Sequence, residues 1–479
     1  MKQKAICTDC VGESFLQKQI KAQGTRRLCH YCGEKGRSYT LEKISDLVET
    51  AFESHYTLTP TDMDGFEWAM HKDPEVNYHW ERRGEPTADA IMNAVGIEEA
   101  AARDVQEILA DRHSDFDMEC MGEETAFEDS AYYEEIMPSD GQWRESWRHF
   151  ERSLKSEARF FSRTAADQLA ALFDDIGNMQ TRSGKPLIVD AGPGTGLDHL
   201  FRARVFQSTE KLQKALERPD QELSAPPSHL AAAGKMNAKG ISTFYGATSE
   251  AIALAEVRPP VGSEVATARF KIIRPLRLLD LNALTELHEP GSIFDPAYAD
   301  RLGRMMFLRS LCARISRPVM PDDQDMEYLP TQAIADYLAT EAKVPLDGIF
   351  FPSVQAGGDG LNIVLFHKAS RCLEIELPLG TELESSTEQQ HDDGFDREYV
   401  VIERVPAAKS KKKQAAARTG IFDMPYQPIP LHNEDIRDPA LSIDIDAVRV
   451  HVIESVSFIT SDHQVTRHRW TKDNANRLF

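Results

Sequence analysis

Two cysteine pairs in the first 32 residues constrain this chain most tightly. Cys7-Thr-Asp-Cys10 and Cys29-His-Tyr-Cys32 are C-x2-C knuckles eighteen residues apart. A two-residue spacing lets both thiolates of a knuckle reach one tetrahedral ion, and two facing knuckles complete its shell. The expectation is a structural zinc module over residues 1–39 with Cys7, Cys10, Cys29 and Cys32 as ligands. Four thiolates leave no open position for a substrate, so the ion would serve folding. Disulfide pairing is the alternative, and nothing in the composition points to an oxidising compartment. Cys120, Cys312 and Cys372 are scattered and read as small core residues.

With 479 residues, the chain has room for about three folded units at roughly 150 residues apiece. Its 55 basic side chains face 77 acidic ones, a net charge of -22. Phosphate backbones are gripped by Lys and Arg, so a general nucleic-acid-binding surface is not expected. No apolar run approaches the ~18 residues of a membrane span, and the amino terminus lacks the apolar stretch of a secretory signal. A cytoplasmic protein with no membrane partner is expected.

From Thr40 the pattern is helical, and residues 40–185 read as a helical domain. Leu41, Ile44, Leu47, Val48, Ala51 and Phe52 recur at three- and four-residue steps behind Thr40 as N-cap. Trp143, Trp147, Phe150, Leu154, Ala158 and Phe161 form the longest stripe, continued by Ala166, Leu169, Leu172 and Phe173, which reads as a buried helix face. Residues 115–135 carry nine acidic side chains and no basic ones, the composition of a solvated surface or loop. Arg144 and His149 have the Arg-x4-His spacing and resemble the motif of HEPN ribonucleases, a match that arises easily by chance.

Pro186-Leu-Ile-Val-Asp190 followed by Ala191-Gly-Pro-Gly-Thr-Gly196 has the form of a strand ending in a glycine-rich turn. It is similar to the first motif of S-adenosylmethionine-dependent methyltransferases. A doubly wound fold needs a helix after the glycines, whereas Leu200-Phe-Arg-Ala-Arg-Val-Phe206 reads as another strand. The methyltransferase therefore stands only as an alternative.

The chemistry concentrates further on. Phe201-Arg202-Ala203-Arg204-Val205-Phe206 places two guanidiniums on one side of a strand. Gly234-Lys235-Met236-Asn237-Ala238-Lys239-Gly240 is a turn. Ser242 to Ala247, containing Tyr245, reads as a strand, and Thr248 or Ser249 caps a helix ending at Glu256. A carboxylate among small apolar residues suggests a specific use for Glu256. Singly, each has a plain structural alternative: a surface ion pair for Arg204, core packing for Tyr245, pairing with Arg258 for Glu256.

These blocks, with Leu278-Leu-Asp-Leu281, Tyr328 to Ile334, Asp347-Gly-Ile-Phe-Phe-Pro-Ser353 and Gly360-Leu-Asn-Ile-Val-Leu-Phe366, resemble the RES domain over residues 186–378. The preceding region is similar to the HEPN-classed N-terminal domain of some members. The resemblance implies an α+β fold like that of ADP-ribosyltransferases, preceded by the zinc module and the helical domain. It also implies NAD as substrate, cleaved at its nicotinamide–ribose bond by phosphorolysis or hydrolysis in a toxin or antiphage setting.

On that reading Glu256 faces the oxocarbenium-like transition state, and Arg202 and Arg204 take the pyrophosphate. Tyr245 stacks on nicotinamide or ribose, while Ser353 bonds the amide or orients the acceptor. Catalytic roles fall to Glu256, Tyr245, Ser353 and Arg202, and NAD binding to Arg202, Arg204, Lys235, Asn237, Tyr245 and Ser353. Lys235 stands where the family usually has arginine, and Ala238 where it has proline; lysine keeps the charge without the bidentate fork. Implied partners are NAD, inorganic phosphate, an antitoxin or trigger protein, and a second copy of the chain. ADP-ribosyl transfer to a macromolecule competes with NAD cleavage as a use of the same pocket. So does a catalytically degenerate, zinc-bearing adaptor, because fold alone does not fix function.

Beyond residue 378 a C-terminal extension, 379–479, is expected. Glu382 to Asp396 reads as an acidic linker and Tyr399 to Val405 as a strand. Pro406 to Arg418 reads as a basic tether, and Leu441–Ile445 and Val448–Ile453 as two half-buried strands.

Overall fold

A computed structural model describes residues 4–73, 75–353, 355, 360–391, 394–406, 435–457 and 460–469. Almost all of the basic tether lies outside them. The chain divides into two compact units, Met1–Val189 with Gly234–Met236 and Leu279–Leu346, and Asp190–Ala233 with Asn237–Leu278 and Asp347–Phe479. Residues 279–346, which fall inside the resemblance drawn over 186–378, thus belong to the first unit.

In the first unit a small sheet holds the cysteine knuckles. Strand Lys35–Thr40 lies between Ala5–Cys7 and Thr25–Leu28, and helix Ser14–Gln23 packs beside it. Thr40 caps helix Leu41–His55, its hydroxyl accepting from the Lys43 amide. The cysteine module has no core of its own. Ile6, Cys7, Leu16 and Cys29 are buried in one cluster with Ile44, Phe52, Val105 and Phe294.

Several local expectations change. Helix Gly141–Ser156 buries Trp147, Phe150 and Leu154 and then stops, and Ser162 caps a new helix, Arg163–Leu172. The restart resets the helical phase, so Phe161 is 95% exposed and Ala165 replaces Ala166 on the buried face. The acidic stretch 115–135 is partly ordered. It contributes helix Phe116–Met121 and strand Tyr132–Glu135, the middle strand of a three-stranded sheet. Tyr133 carries that strand into the core by stacking on Phe127. Cys312 and Cys372 are buried as expected, but Cys120 is exposed.

A nine-stranded sheet organises the second unit. Seven of its strands lie wholly in that unit, in the order Cys372–Leu373, Leu441–Val452, Glu264–Ile272, His199–Phe206, Phe244–Ala247, Leu361–Leu365 and Gly348–Pro352, followed by Leu276–Asp280 and Ile188–Ala191, which each have residues in both units. Helix Glu250–Glu256 packs on the side of Ala203, Ala247 and Val265 through Ile252 and Ala253. Two expectations in the carboxyl-terminal part are corrected. The supposed linker is a strand, Glu382–His391, in a hairpin with Gly394–Arg404. The two supposed strands are one, Leu441–Val452, which runs antiparallel to Glu264–Ile272 and absorbs a register shift opposite Thr267 to Arg269.

Candidate active site

Tight backbone packing sets the position of Glu256. Ser249 opens its helix, accepting from the Ile252 amide at 3.4 Å. Just before it, the Thr248 amide donates to the Leu361 carbonyl at 3.0 Å. Gly360 gives the helix its seat, because a Cβ there would lie 1.8 Å from Ile252 Cδ1. Any side chain at 360 would have to displace Ile252.

At the end of that helix the Glu256 carboxylate is held by one oxygen. Its Oε1 accepts from Ser353 Oγ at 2.5 Å and from Asn362 Nδ2 at 2.7 Å. Ser353, just past strand Gly348–Pro352, is fully buried, and its amide donates to the Gly360 carbonyl at 2.7 Å. Asn362 lies on the neighbouring strand, opposite Phe351 on one side and Ala247 on the other. Among the described residues no donor reaches Oε2 of Glu256, and Arg258 is not a partner. A carboxylate with one oxygen pinned by neutral donors and the other open can face a developing cation.

A second cluster lies around Tyr245. Its hydroxyl donates to Asn237 Oδ1 at 2.8 Å, and Asn237 Nδ2 bridges the carbonyls of Ala232, Ala238 and Ile241. Asn237 thus organises the turn and orients the tyrosine. Tyr245 is diagonal to Asn362 across the pair in which Ala247 faces Asn362, a spacing of roughly 7–8 Å. The Tyr245 carbonyl accepts from Arg202 Nη1 at 3.3 Å, and the guanidinium lies 5.1 Å from the Phe244 ring centre. Loss of water around Arg202, then repulsion from Arg204, pushes its pKa down to about 10, although the residue as a whole is only partly buried. Among the described residues no carboxylate pairs with it.

The remaining expected residues are placed differently. Arg204 is half-exposed and bonds the Glu222 carbonyl at 2.6 Å and its carboxylate at 3.1 Å. Strand alternation puts Arg202 and Arg204 on the side opposite Ala203, which packs against the Glu256 helix. Lys235 belongs to the first unit, where its Nζ donates to the Arg317 carbonyl at 3.0 Å. The glycine turn leads straight into strand His199–Phe206 with no helix, which removes the methyltransferase alternative. Gly192, at φ +125°, is needed there for close approach to the Arg274 carbonyl rather than to a ligand. Asn362 carried no expectation beyond its block, although a lone amide inside Leu-Asn-Ile-Val-Leu is the kind of polar interruption that signals a use.

In the first unit the four thiols converge. Sγ separations are 3.7 Å for Cys7–Cys10, 3.6 Å for Cys7–Cys32 and 3.8 Å for Cys10–Cys29, and all four atoms lie within 4.8 Å of one another. Sulfurs about 2.3 Å from a tetrahedral zinc ion would be roughly 3.8 Å apart, so this donor set fits that metal. The Cys7 amide donates to Cys29 Sγ at 3.4 Å. Tyr31, inside the second knuckle, donates to Asp104 Oδ2 at 2.7 Å, and Lys4 pairs with the other oxygen. Arg144 is paired with Asp140, while His149 is exposed.

No helix among the described residues is long and apolar enough to cross a membrane. Residues 211–387 match the model of the RES domain family. The match takes in Lys235, Asn237, Tyr245, Glu256, Ser353 and Asn362, but begins after Arg202 and Arg204 and ends before strand Leu441–Val452. No curated protein and no solved structure matches the chain.

Proposed function

We propose that this protein is an NAD-consuming enzyme that cleaves the nicotinamide–ribose bond, with phosphate or water as acceptor. The observation that carries the reading is the Glu256 carboxylate, pinned through Oε1 by Ser353 and Asn362 within the segment that matches the RES domain. That match is consistent with an enzyme acting on NAD.

The chemistry asks little else of the protein. As the bond between ribose C1′ and the nicotinamide nitrogen breaks, its electron pair leaves with nicotinamide and positive charge develops on the ribose. The open Oε2 of Glu256 meets that charge or holds the ribose hydroxyls. A phosphate oxygen or water then bonds to C1′ and gives up its proton to solvent. Tyr245 offers a ring face, and Arg202, on the other face of its strand and with no carboxylate partner among the described residues, is the cation left for the pyrophosphate, farther along the dinucleotide than the ribose that meets Glu256. Buried against Glu256, Ser353 acts through the carboxylate and is a positioning residue. A zinc ion held by Cys7, Cys10, Cys29 and Cys32 would organise the first unit. A toxin or antiphage setting, kept in check by an antitoxin or trigger protein, follows from the same family reading.

The test is nicotinamide release from NAD by the purified full-length chain, with and without inorganic phosphate, beside Glu256→Gln. Release that Glu256→Gln abolishes is expected, and its phosphate dependence names the acceptor. Equal release by both proteins, or none by the parent chain, overturns the reading.

A further inference from the structure

Strand Leu441–Val452 lies more than fifty residues beyond the end of the RES match, yet it sits inside the sheet that carries Glu256. Without it Glu264–Ile272 would be an edge strand, with unpaired backbone groups along its length. Its contribution goes beyond backbone pairing. His451 stands opposite Val265, and Val265 belongs to the face on which helix Glu250–Glu256 packs. From there His451 Nε2 reaches Oε1 of Glu250, in the first turn of that helix, at 3.0 Å. Thr267, fully buried on the intervening strand, donates to the same oxygen at 2.6 Å and lies 3.2 Å from His451 Nε2. Arg449, two residues earlier on the C-terminal strand, approaches the other oxygen at 3.6 Å.

The helix has only seven residues. Glu250 and Glu256 are its two ends, about 9 Å apart at 1.5 Å per residue. A helix this short has little stability of its own, so what fixes its first turn also fixes the carboxylate at its last. Ser249 supplies the cap and Ile252, against Gly360, the seat near its middle. A side-chain clamp on Glu250 ties the first turn itself to the sheet.

We propose that His451 is a positioning residue, clamping Glu250 so that the helix presents Glu256 in its working orientation, and that the segment around 441–452 is an integral part of the catalytic fold. The catalytic half of this proposal rests on the NAD-cleaving reading above. The clamp itself does not.

The test uses the full-length chain with His451→Ala and His451→Gln, read by hydrogen exchange and by NAD turnover. Exchange in residues 250–256 rises in His451→Ala while strand Glu264–Ile272 stays protected, and His451→Gln, whose amide can donate in the same place, restores protection. In turnover, His451→Ala lowers kcat by about tenfold to a hundredfold with KM changed less than about threefold, the pattern of a displaced catalytic group. Unchanged exchange in 250–256 overturns the clamp whatever the turnover. Exchange rising equally through both strands makes His451 merely structural and also overturns it. If the parent chain releases no nicotinamide, the functional reading fails by itself, and exchange still decides the clamp.

Discussion

Asn362 Nδ2 donates to Glu256 Oε1 at 2.7 Å, the same oxygen that accepts from Ser353 Oγ at 2.5 Å. Two donors on one oxygen fix the plane of the carboxylate and turn its second oxygen away from them. Hydrogen bonds to a charged acceptor are worth about 1.5–3 kcal/mol, enough to choose one rotamer over its neighbours. Asn362→Ala should lower kcat for NAD cleavage by about tenfold or more, with KM nearly unchanged and folding retained. Asn362→Asp, which sets a second carboxylate against Glu256, should do more harm than alanine. Equal kcat for Asn362→Ala and the parent chain would remove the residue from the mechanism.

The two arginines of the Phe201 to Phe206 strand should separate in assay. Arg204 already has Glu222 as partner, at half-exposed positions on both sides, whereas Arg202 has a backbone carbonyl and an aromatic face but no carboxylate among the described residues. A cation without a counter-charge is the one free to meet a pyrophosphate. Arg202→Ala should raise KM for NAD by about tenfold or more, since charge-assisted bonds are about twice as strong as neutral ones. Arg204→Ala should stay within about threefold, because exposed ion pairs contribute little. Steady-state kinetics on the two variants checks this, and the reverse order would exchange their roles.

The cysteine knuckles, the helical period behind Thr40, and the strands carrying Arg202 and Tyr245 were all legible in the sequence, because each depends on spacing along a few residues. What was not legible depends on partners far apart in the chain. Arg204 reads as a ligand residue until Glu222 folds beside it. Asn362 reads as a flaw in an apolar strand until Glu256, more than a hundred residues earlier, arrives next to it. The segment 382–396 is acidic enough to pass for a linker, since a two-stranded hairpin with little buried apolar surface leaves only a faint pattern. The stripe that ran through Phe161 failed for a local reason, a break and new cap that shifted its phase.

The cysteine cluster makes a prediction about the whole first unit. Because Cys7 and Cys29 are buried with Ile44, Phe52 and Val105 in one core, losing the ion should loosen the helices as well as the knuckles. Metal analysis of the purified chain should find about one zinc per chain. Chelation, or Cys29→Ser, should lower Tm and reduce the helical circular-dichroism signal. A chain that carries no metal, or whose helical signal survives chelation, would contradict this.

Gly360 offers a two-residue test of how the Glu256 helix is seated. Gly360→Ala places a methyl 1.8 Å from Ile252 Cδ1, and overpacking of this kind costs roughly 1–3 kcal/mol. Where Ile252 cannot turn aside, the helix shifts, and turnover should then fall with stability. Ile252→Ala removes the clashing atoms, so the double variant should recover part of both losses, a coupling that denaturant unfolding measures as non-additivity. Strict additivity would mean that the two residues do not meet.

Glu250 contributes to the acid limb of stability. Burial alone would raise its pKa, but the hydrogen bonds from Thr267 and His451, with Arg449 nearby, prevail and hold it below its ordinary value of 4.5. A carboxyl lowered on folding stabilises the native state once it is ionised in the unfolded chain too, that is, above about pH 4.5. The contribution is lost as pH falls from there through the lower folded value, because the proton binds the unfolded state more readily. Glu250→Gln keeps the shape but removes the titration. The variant should therefore be less stable than the parent chain near neutral pH and approach it as pH drops below 4.5. Denaturant midpoints measured between pH 3 and 7 read this directly, and parallel curves for the two proteins would show that Glu250 contributes nothing to acid unfolding.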